Sequence, residues 1–309
     1  MRLSGFVLVL VLLGLGGCQT APIGSPPLPP VSATPPPSVD PGLPPTVAKP
    51  VRLPRIGLAL GGGAARGFAH IGVIQVLEEA GIRPDLVVGT SAGSLVAALY
   101  ASGKTGVEMA ALAQSMDEGS ITDWSFPARG LIRGEALARY VREHTGGRTI
   151  EQMRLPLGIV ATDLDSGAGI LFQRGDTGAA VRASSAVPAV FQPVRIGNRE
   201  YVDGGLVSPV PVRFARQMGA EMVIAIDISS TPDGNATGDV MKMLLQTFAI
   251  MGRSISQFEL RQADVVLRPL MSGLSSADFA ARGKAIQAGR EVATRLLPEL
   301  KAKMAALMR

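Results

Sequence analysis

From residue 55 onward the chain alternates short apolar runs with segments whose apolar residues recur at helical spacing. The apolar runs have the length of strands that are buried on both faces, whereas the periodic segments predict amphipathic helices. Predicted strands cover residues 56–60, 86–88, 157–161, 169–172, 194–196, 222–228 and 265–267. Predicted helices cover residues 71–77, 92–100, 134–144, 177–185, 211–218, 238–260 and 282–307. This alternation predicts an α/β fold with a mainly parallel central sheet flanked by helices on both faces.

The N-terminus has a different pattern. Met1-Arg2 gives the N-terminus a positive charge, and an apolar run follows over residues 6–15. This run has the length of a signal-peptide core and is too short to span a bilayer. The run ends in Leu15-Gly16-Gly17-Cys18, which resembles the lipobox of bacterial lipoproteins. The resemblance implies cleavage before Cys18 and acylation of that residue. An ordinary secreted protein with a chance cysteine is the alternative.

The segment behind Cys18 is rich in proline. Residues 19–54 hold more than half of the 23 prolines, so they predict an extended linker without helix or sheet. We therefore expect a signal peptide over residues 1–17, a lipidated cysteine and linker over 18–54, and one folded domain over 55–309. Gln19 instead of Asp after the cysteine favours an anchor in the outer membrane, facing the periplasm.

The amino-acid composition argues against several classes of protein function. A single Cys among 309 residues excludes an internal disulfide framework, and with only two His it leaves little for a metal centre. Aromatic residues make up 4% of the chain, and the net charge is +5, so nucleic-acid binding is a poor first hypothesis. We expect neither a metal nor a cofactor, and the oligomeric state stays open.

A candidate nucleophile lies between a predicted strand and a predicted helix. Gly89-Thr90-Ser91-Ala92-Gly93 matches the G-x-S-x-G pattern, in which a sharp turn exposes the serine hydroxyl. The flanking residues Gly89 and Gly93 avoid side-chain clashes in that turn, and the helix N-terminus favours developing negative charge.

A second glycine-rich loop, Gly61–Gly67, also joins a predicted strand to a predicted helix. Its amides could bind a phosphate or stabilise an oxyanion, although a tight turn also needs glycines. A dinucleotide site is the rival interpretation. Arg66 stands where the last glycine of that fingerprint belongs, and no acidic residue closes a second strand for the ribose.

The base for a serine nucleophile is less evident. His70 lies among apolar residues of a predicted helix and favours a structural role, and His144 ends a polar helix. The remaining candidate is Asp203, which follows a strand end and precedes Gly204 and Gly205. Those glycines would let the carboxylate approach another backbone closely, but a plain turn explains them equally well.

Together the glycine loop, the serine motif and Asp203-Gly204-Gly205 resemble the patatin-like phospholipase family in order and spacing, from about residue 55 to about residue 230. Three further blocks support the resemblance, at residues 130–134, 161–164 and 183–191.

The resemblance implies a three-layer patatin-like fold and a dyad of Ser91 as nucleophile and Asp203 as general base. It implies an oxyanion hole built from Gly62, Gly63, Ala64, Arg66 and Gly67, in which Arg66 stabilises the loop. Ala64 departs from the family, where many members carry another glycine. Alanine still offers its amide, so the hole is retained unless that position needs a positive φ.

The expected function is that of a serine acyl-ester hydrolase of the phospholipase A, lipase or carboxylesterase type, acting on lipid esters at the cell envelope. Its partners would be a phospholipid or other acyl-ester substrate and the membrane reached through Cys18. A catalytically silent lipid-binding or scaffold lipoprotein is the alternative, and a nucleotide-binding oxidoreductase rests on the glycine loop alone. A methionine-bearing helix over residues 241–251 could line an acyl chain, but packing on the sheet is favoured.

Overall fold

The computed structural model describes residues 52–117, 119, 123, 130–229, 238, 240–274 and 278–308. The predicted signal peptide, Cys18 and nearly all of the proline-rich linker lie outside the described residues. The described residues belong to one compact unit, which spans Lys49–Arg309.

The strands and helices are numbered along the chain. The strands are β1 Ile56–Leu60, β2 Leu86–Thr90, β3 Gly130–Ile132, β4 Leu157–Asp163, β5 Gly169–Phe172, β6 Ala189–Phe191, β7 Val194–Ile196, β8 Arg199–Asp203, β9 Met222–Ile226 and β10 Val265–Leu267. The helices are α1 Phe68–Glu79, α2 Ala92–Ala101, α3 Gly106–Ser115, α4 Glu135–His144, α5 Thr177–Ser184, α6 Val212–Gln217, α7 Val240–Glu259 and α8 Arg282–Ala306.

The central sheet is mixed but mostly parallel. Its strand order is β10-β9-β1-β2-β4-β8-β7, and β5 pairs with β4 beside that path. The strands from β10 to β4 in this order are parallel, whereas β5 and β8 run antiparallel to β4, and β7 runs antiparallel to β8. Strands β3 and β6 form a separate parallel pair. The predicted fold class, an α/β fold with a mainly parallel sheet between helices, is confirmed.

The central strands are buried on both faces because helices cover both. Every residue of β1, β2, β4 and β9 is buried. Side chains alternate between the two faces. Leu58 and Leu60 join one core cluster with residues of α1, α2 and α8, while Ala59 joins a second cluster with residues of α6.

Several features differ from the sequence predictions. The sequence pattern predicts only the end of β8, just before Asp203, and it does not predict α3. Helix α7 does not pack on the sheet as favoured, since only Ser256 and Glu259 of its residues are buried. Among the described helices, none combines the length and apolarity needed to cross a bilayer.

Candidate active site

Sheet register brings Ser91 and Asp203 to opposite sides of β4. Thr90, the last residue of β2, pairs with Val160 of β4. The next residue of β4, Ala161, pairs with Asp203 at the end of antiparallel β8. Ser91 and Asp203 therefore lie level with each other across one intervening strand, although they are far apart along the chain.

Ser91 occupies a strained turn between β2 and α2. Its φ is 53° and its ψ is −125°, a conformation that few residues other than glycine adopt. The turn is fixed through the backbone, because the Ser91 amide donates to the Ser184 hydroxyl at 2.9 Å. Gly93 lets α2 begin against β1, since a side chain there would overlap the Leu60 carbonyl. This is the geometry of a nucleophile elbow.

The close approach at Gly93 gives a stability prediction. Gly93→Ala is expected to lower the free energy of unfolding by about 3 kcal/mol, because the backbone of β1 leaves no room for the added methyl group. Gly238→Ala is the matched control, because open space surrounds Gly238. Urea denaturation of both variants measures the difference, and equal midpoints would contradict the close approach.

Asp203 is a buried carboxylate with one free acceptor. Its Oδ1 accepts a hydrogen bond from the Gly205 amide at 2.6 Å, whereas buried Oδ2 has no hydrogen-bond partner among the described residues. Burial raises the pKa of Asp203 to about 6, although the nearby Ser91 hydroxyl and the Gly205 amide oppose that shift. Oδ2 is therefore the oxygen of this carboxylate that stays available to accept a proton, and the Ser91 hydroxyl is near enough to affect its pKa.

The glycine loop lies directly against Ser91, and one of its predicted donors is already engaged. A side chain at Gly62 would lie 3.1 Å from the Ser91 Cβ, so only glycine fits comfortably there. The Gly62 amide donates to the Pro209 carbonyl at 2.9 Å. The predicted role of Gly62 as an oxyanion donor would require this hydrogen bond to be released or shared. Hydrogen bonds between described residues leave the amides of Gly63 and Ala64 unused.

Ala64 adopts a positive φ, which is the condition under which the replacement of glycine by alanine would affect the oxyanion hole. Its φ is 50°, in the left-handed region that favours glycine. Alanine tolerates this conformation at a cost of about 1 kcal/mol, so the departure from glycine strains the loop without removing the amide.

Arg66 and Gly67 shape the rest of the loop. The Arg66 amide donates to the Gly63 carbonyl at 3.2 Å, and the Arg66 Nε donates to the same oxygen at 3.4 Å. A side chain at Gly67 would lie 2.9 Å from the Ala92 Cβ. Arg66 therefore fixes the turn of the loop through the Gly63 carbonyl, and Gly67 lets the loop lie against the start of α2.

The two histidines have separate structural roles. The His70 Nε2 pairs with the Gly61 carbonyl at 2.8 Å, and burial lowers the pKa of His70 to about 4. His70 is therefore neutral, and its hydrogen bond holds the glycine loop against α1. The His144 Nδ1 pairs with the Tyr140 carbonyl at 2.9 Å within α4.

Residues 204–210 connect the parts of the site, and sequence reasoning missed this role. The Thr90 hydroxyl donates to the Ser208 carbonyl at 2.8 Å, and the Gly62 amide donates to the neighbouring Pro209 carbonyl. The segment thus touches the elbow, the glycine loop and Asp203, which directly precedes it. No local pattern signals these contacts.

Residues 204–210 also form hydrogen bonds with the C-terminal end of α7. The Ser208 hydroxyl donates to the Glu259 carboxylate at 2.6 Å, and the Arg213 Nε lies 3.1 Å from that carboxylate. Burial raises the pKa of Glu259 to about 7, against the hydrogen bond from Ser208 and the charge of Arg213.

In chemical terms the arrangement suits acyl transfer. A hydroxyl on a sharp turn, a buried carboxylate with a free oxygen and two unused amides lie together, which are the parts that nucleophilic attack on an ester needs. Across the residues that the structure describes, His, Cys, Asp and Glu side chains form no group of three that could hold a metal ion.

Comparison with known proteins gives a family match. The model of the patatin-like phospholipase family matches residues 58–216, which is just over half of the chain and includes both Ser91 and Asp203.

Two relatives illustrate the range of matches. An uncharacterized NTE family protein of Mycobacterium tuberculosis is 40% identical over 186 residues, covering 59% of this chain and 51% of that protein. Patatin-like phospholipase domain-containing protein 6 of Mus musculus is 37% identical over 183 residues, covering 57% of this chain and 14% of that protein. The chain thus spans about half or less of the length of these curated relatives.

A solved structure has a similar fold. VipD from Legionella pneumophila matches with a TM-score of 0.55 at 14% identity, covering 81% of this chain and 68% of that chain. At this identity the likeness concerns the fold alone.

Proposed function

The chain belongs to the patatin-like phospholipase family, and from that premise we propose that it is a serine acyl-ester hydrolase that cleaves lipid esters with a Ser91–Asp203 dyad. One observation carries the proposal. The only buried carboxylate oxygen without a hydrogen-bond partner among the described residues is the Asp203 Oδ2, beside the strained Ser91. An unsatisfied buried acceptor is costly, so a functional reason for it is expected.

The proposed reaction has two halves. In the first, the Ser91 Oγ attacks the ester carbonyl while its proton passes to the Asp203 Oδ2. The amides of Gly63 and Ala64 donate to the developing oxyanion. The intermediate then collapses, the alcohol leaves with the proton held by Asp203, and the acyl group stays on Ser91.

In the second half, water attacks the acyl-enzyme. Asp203 accepts a proton from that water, and the same two amides stabilise the second oxyanion. Collapse returns the proton to Ser91 and releases the fatty acid. Every step uses groups of the chain and water, and the dyad ends as it began.

The proposed substrate is a phospholipid or related acyl ester at the cell envelope. The family description supports a lipid ester, and the lipobox-like sequence before Cys18 supports a protein held at a membrane, with the outer membrane as the expected site. A membrane anchor would keep the enzyme at the surface that holds its substrate.

The test is fatty-acid release from vesicles of phosphatidylglycerol and phosphatidylethanolamine by the full chain. We expect time-dependent release that stops when Ser91 is replaced by alanine. Release at equal rates from both forms, or no release from lipid or short-chain esters by a folded protein, would contradict the proposal. The second result would favour the catalytically silent lipid-binding alternative.

The pKa of Asp203 sets the expected pH dependence. A general base must be ionised, so kcat/KM should rise about tenfold per pH unit below pH 6 and level off above it. Measuring hydrolysis of a water-soluble ester between pH 4.5 and pH 8.5 gives the profile.

Glu259 provides the control for this profile, because its pKa is raised to about 7 and it lies near the site. The variant Glu259→Gln should keep the inflection near pH 6. An inflection that disappears in Glu259→Gln, or a flat profile in the parent protein, would contradict Asp203 as the base.

A further inference from the structure

Helix α7 packs on the active-site segment with one face. A side chain at Gly252 would lie 3.5 Å from the Pro209 Cγ and 3.9 Å from the Gly205 carbonyl. On the same side, Ser256 and Glu259 are buried. The helix therefore lies over residues 204–210, directly after Asp203 along the chain.

The opposite face of α7 is apolar and exposed. At 100° per residue, six of the seven exposed large apolar side chains of α7 fall within an arc of about 120°, which is a continuous stripe along the helix, and Leu245 lies outside it. We call these six residues the α7 stripe, and their exposed fractions are Val240 69%, Met243 50%, Leu244 39%, Ile250 50%, Met251 51% and Phe258 66%.

Two hydroxyl residues on this face have their polar groups satisfied within the helix. The Thr247 hydroxyl donates to the Met243 carbonyl at 2.9 Å, and the Ser254 hydroxyl donates to the Ile250 carbonyl at 3.3 Å. Such back-bonding lowers the cost of placing a hydroxyl in an apolar medium. The stripe is thus suited to contact with hydrocarbon along its length.

The charge beside the stripe is positive. Arg253 is exposed on the side of α7 between the stripe and the packed face, and the Arg261 guanidinium lies 5.3 Å from the ring centroid of Phe258, a member of the stripe. Glu259, at the end of the helix, is buried and paired with Arg213. A helix with an apolar stripe and a basic flank lies in the interface of an anionic bilayer.

We propose that α7 docks flat on an anionic phospholipid bilayer through the α7 stripe. The helix would then lie between the bilayer and residues 204–210. The docking surface is separate from the predicted anchor at Cys18. Its use for presenting substrate rests on the proposed function, but the docking itself does not.

The test places an environment-sensitive dye on single cysteines in the full chain. The background carries Cys18→Ala, which removes the only natural cysteine, and Ser91→Ala, which keeps hydrolysis out of the measurement. Dyes at Val240→Cys and Phe258→Cys report the two ends of the stripe. Val107→Cys on α3 is the matched control, since Val107 and Val240 are both 69% exposed.

Vesicles of phosphatidylcholine and phosphatidylglycerol with a nitroxide on the lipid acyl chain serve as the quencher. We expect both stripe dyes to be quenched at least threefold more than the control dye. Quenching at one end only, at neither end or equally at Val107 would overturn the proposal. Shielding of both dyes together with a dimeric mass would also overturn it and would assign the stripe to a second copy of the chain.

A charge reversal gives a second, independent readout. Arg253→Glu should weaken binding to these vesicles about fivefold or more, since each basic residue near an anionic surface contributes about 1 kcal/mol. Arg295→Glu on the exposed side of α8 makes the same change in net charge and is the control. Equal weakening by both variants would attribute binding to net charge and contradict docking through α7.

Discussion

Replacing Ser91 with alanine is expected to lower ester turnover by about 10⁴-fold or more, which is the largest effect in this account. The variant lacks the attacking oxygen, and no neighbouring group can replace it in the acyl-enzyme. Its fold should persist, because the elbow is held by the Ser91 backbone. The amide donates to Ser184, and the carbonyl accepts from the Ser94 hydroxyl at 2.7 Å.

The control for this variant lies at the other end of the same helix. The buried Ser102 hydroxyl donates to the Leu99 carbonyl at 2.7 Å, away from the dyad. Ser102→Ala should keep its turnover within a fewfold of the parent. Initial rates on a chromogenic ester compare the three proteins, and Ser91→Ala with a tenth or more of the parent rate would contradict the assignment.

Asp203→Asn is expected to show the second largest effect, a loss of about 10³-fold in kcat or more. The introduced amide side chain would keep an oxygen toward the Gly205 amide, so the geometry should change little. It would not be able to accept the Ser91 proton. The same kinetic assay measures this variant, and a loss below tenfold would contradict Asp203 as the base.

The same substitution should make the protein more stable above pH 6. The pKa of Asp203 is raised from 3.8 unfolded to about 6 folded, so folding has to bury a carboxylate that water solvates better. Stability due to this group is fully present below pH 3.8 and is lost as the pH rises through 6. The neutral amide avoids that loss, so at pH 8 it should gain about 1–3 kcal/mol.

Urea unfolding of both proteins at pH 8 and at pH 4 checks this expectation. The gain should shrink toward pH 4, where Asp203 is protonated in the folded protein and about half protonated in the unfolded chain. Lower stability of Asp203→Asn at pH 8 would mean that the carboxylate is well stabilised in the folded protein. A gain in stability with a loss of activity would show that the site is strained for its function.

The sequence pattern predicted those strands and turns whose conformation depends on residues close together along the chain. The apolar run 56–60 is β1, and the glycine loop and the serine motif follow β1 and β2 as expected. These elements depend on burial and turn chemistry, which short windows of sequence record.

The remaining parts of the site depend on contacts between distant positions. Thr90 and Ser208 are 118 positions apart, and the Gly62 amide and its partner Pro209 are still farther apart along the chain. Helical spacing predicted α7 correctly but did not indicate which face packs. The helix rests on residues 204–210 instead of the sheet, and only the folded chain shows this.

The central claim is that Asp203 activates Ser91, and covalent labelling tests it most directly. A fluorophosphonate probe is added to the full chain, to Ser91→Ala and to Asp203→Asn, and the modified peptide is identified by mass spectrometry. We expect an adduct on Ser91 of the parent protein, none on Ser91→Ala and labelling slowed by about 100-fold or more on Asp203→Asn. A folded parent that takes up no probe, or an adduct that persists in Ser91→Ala, would contradict the account.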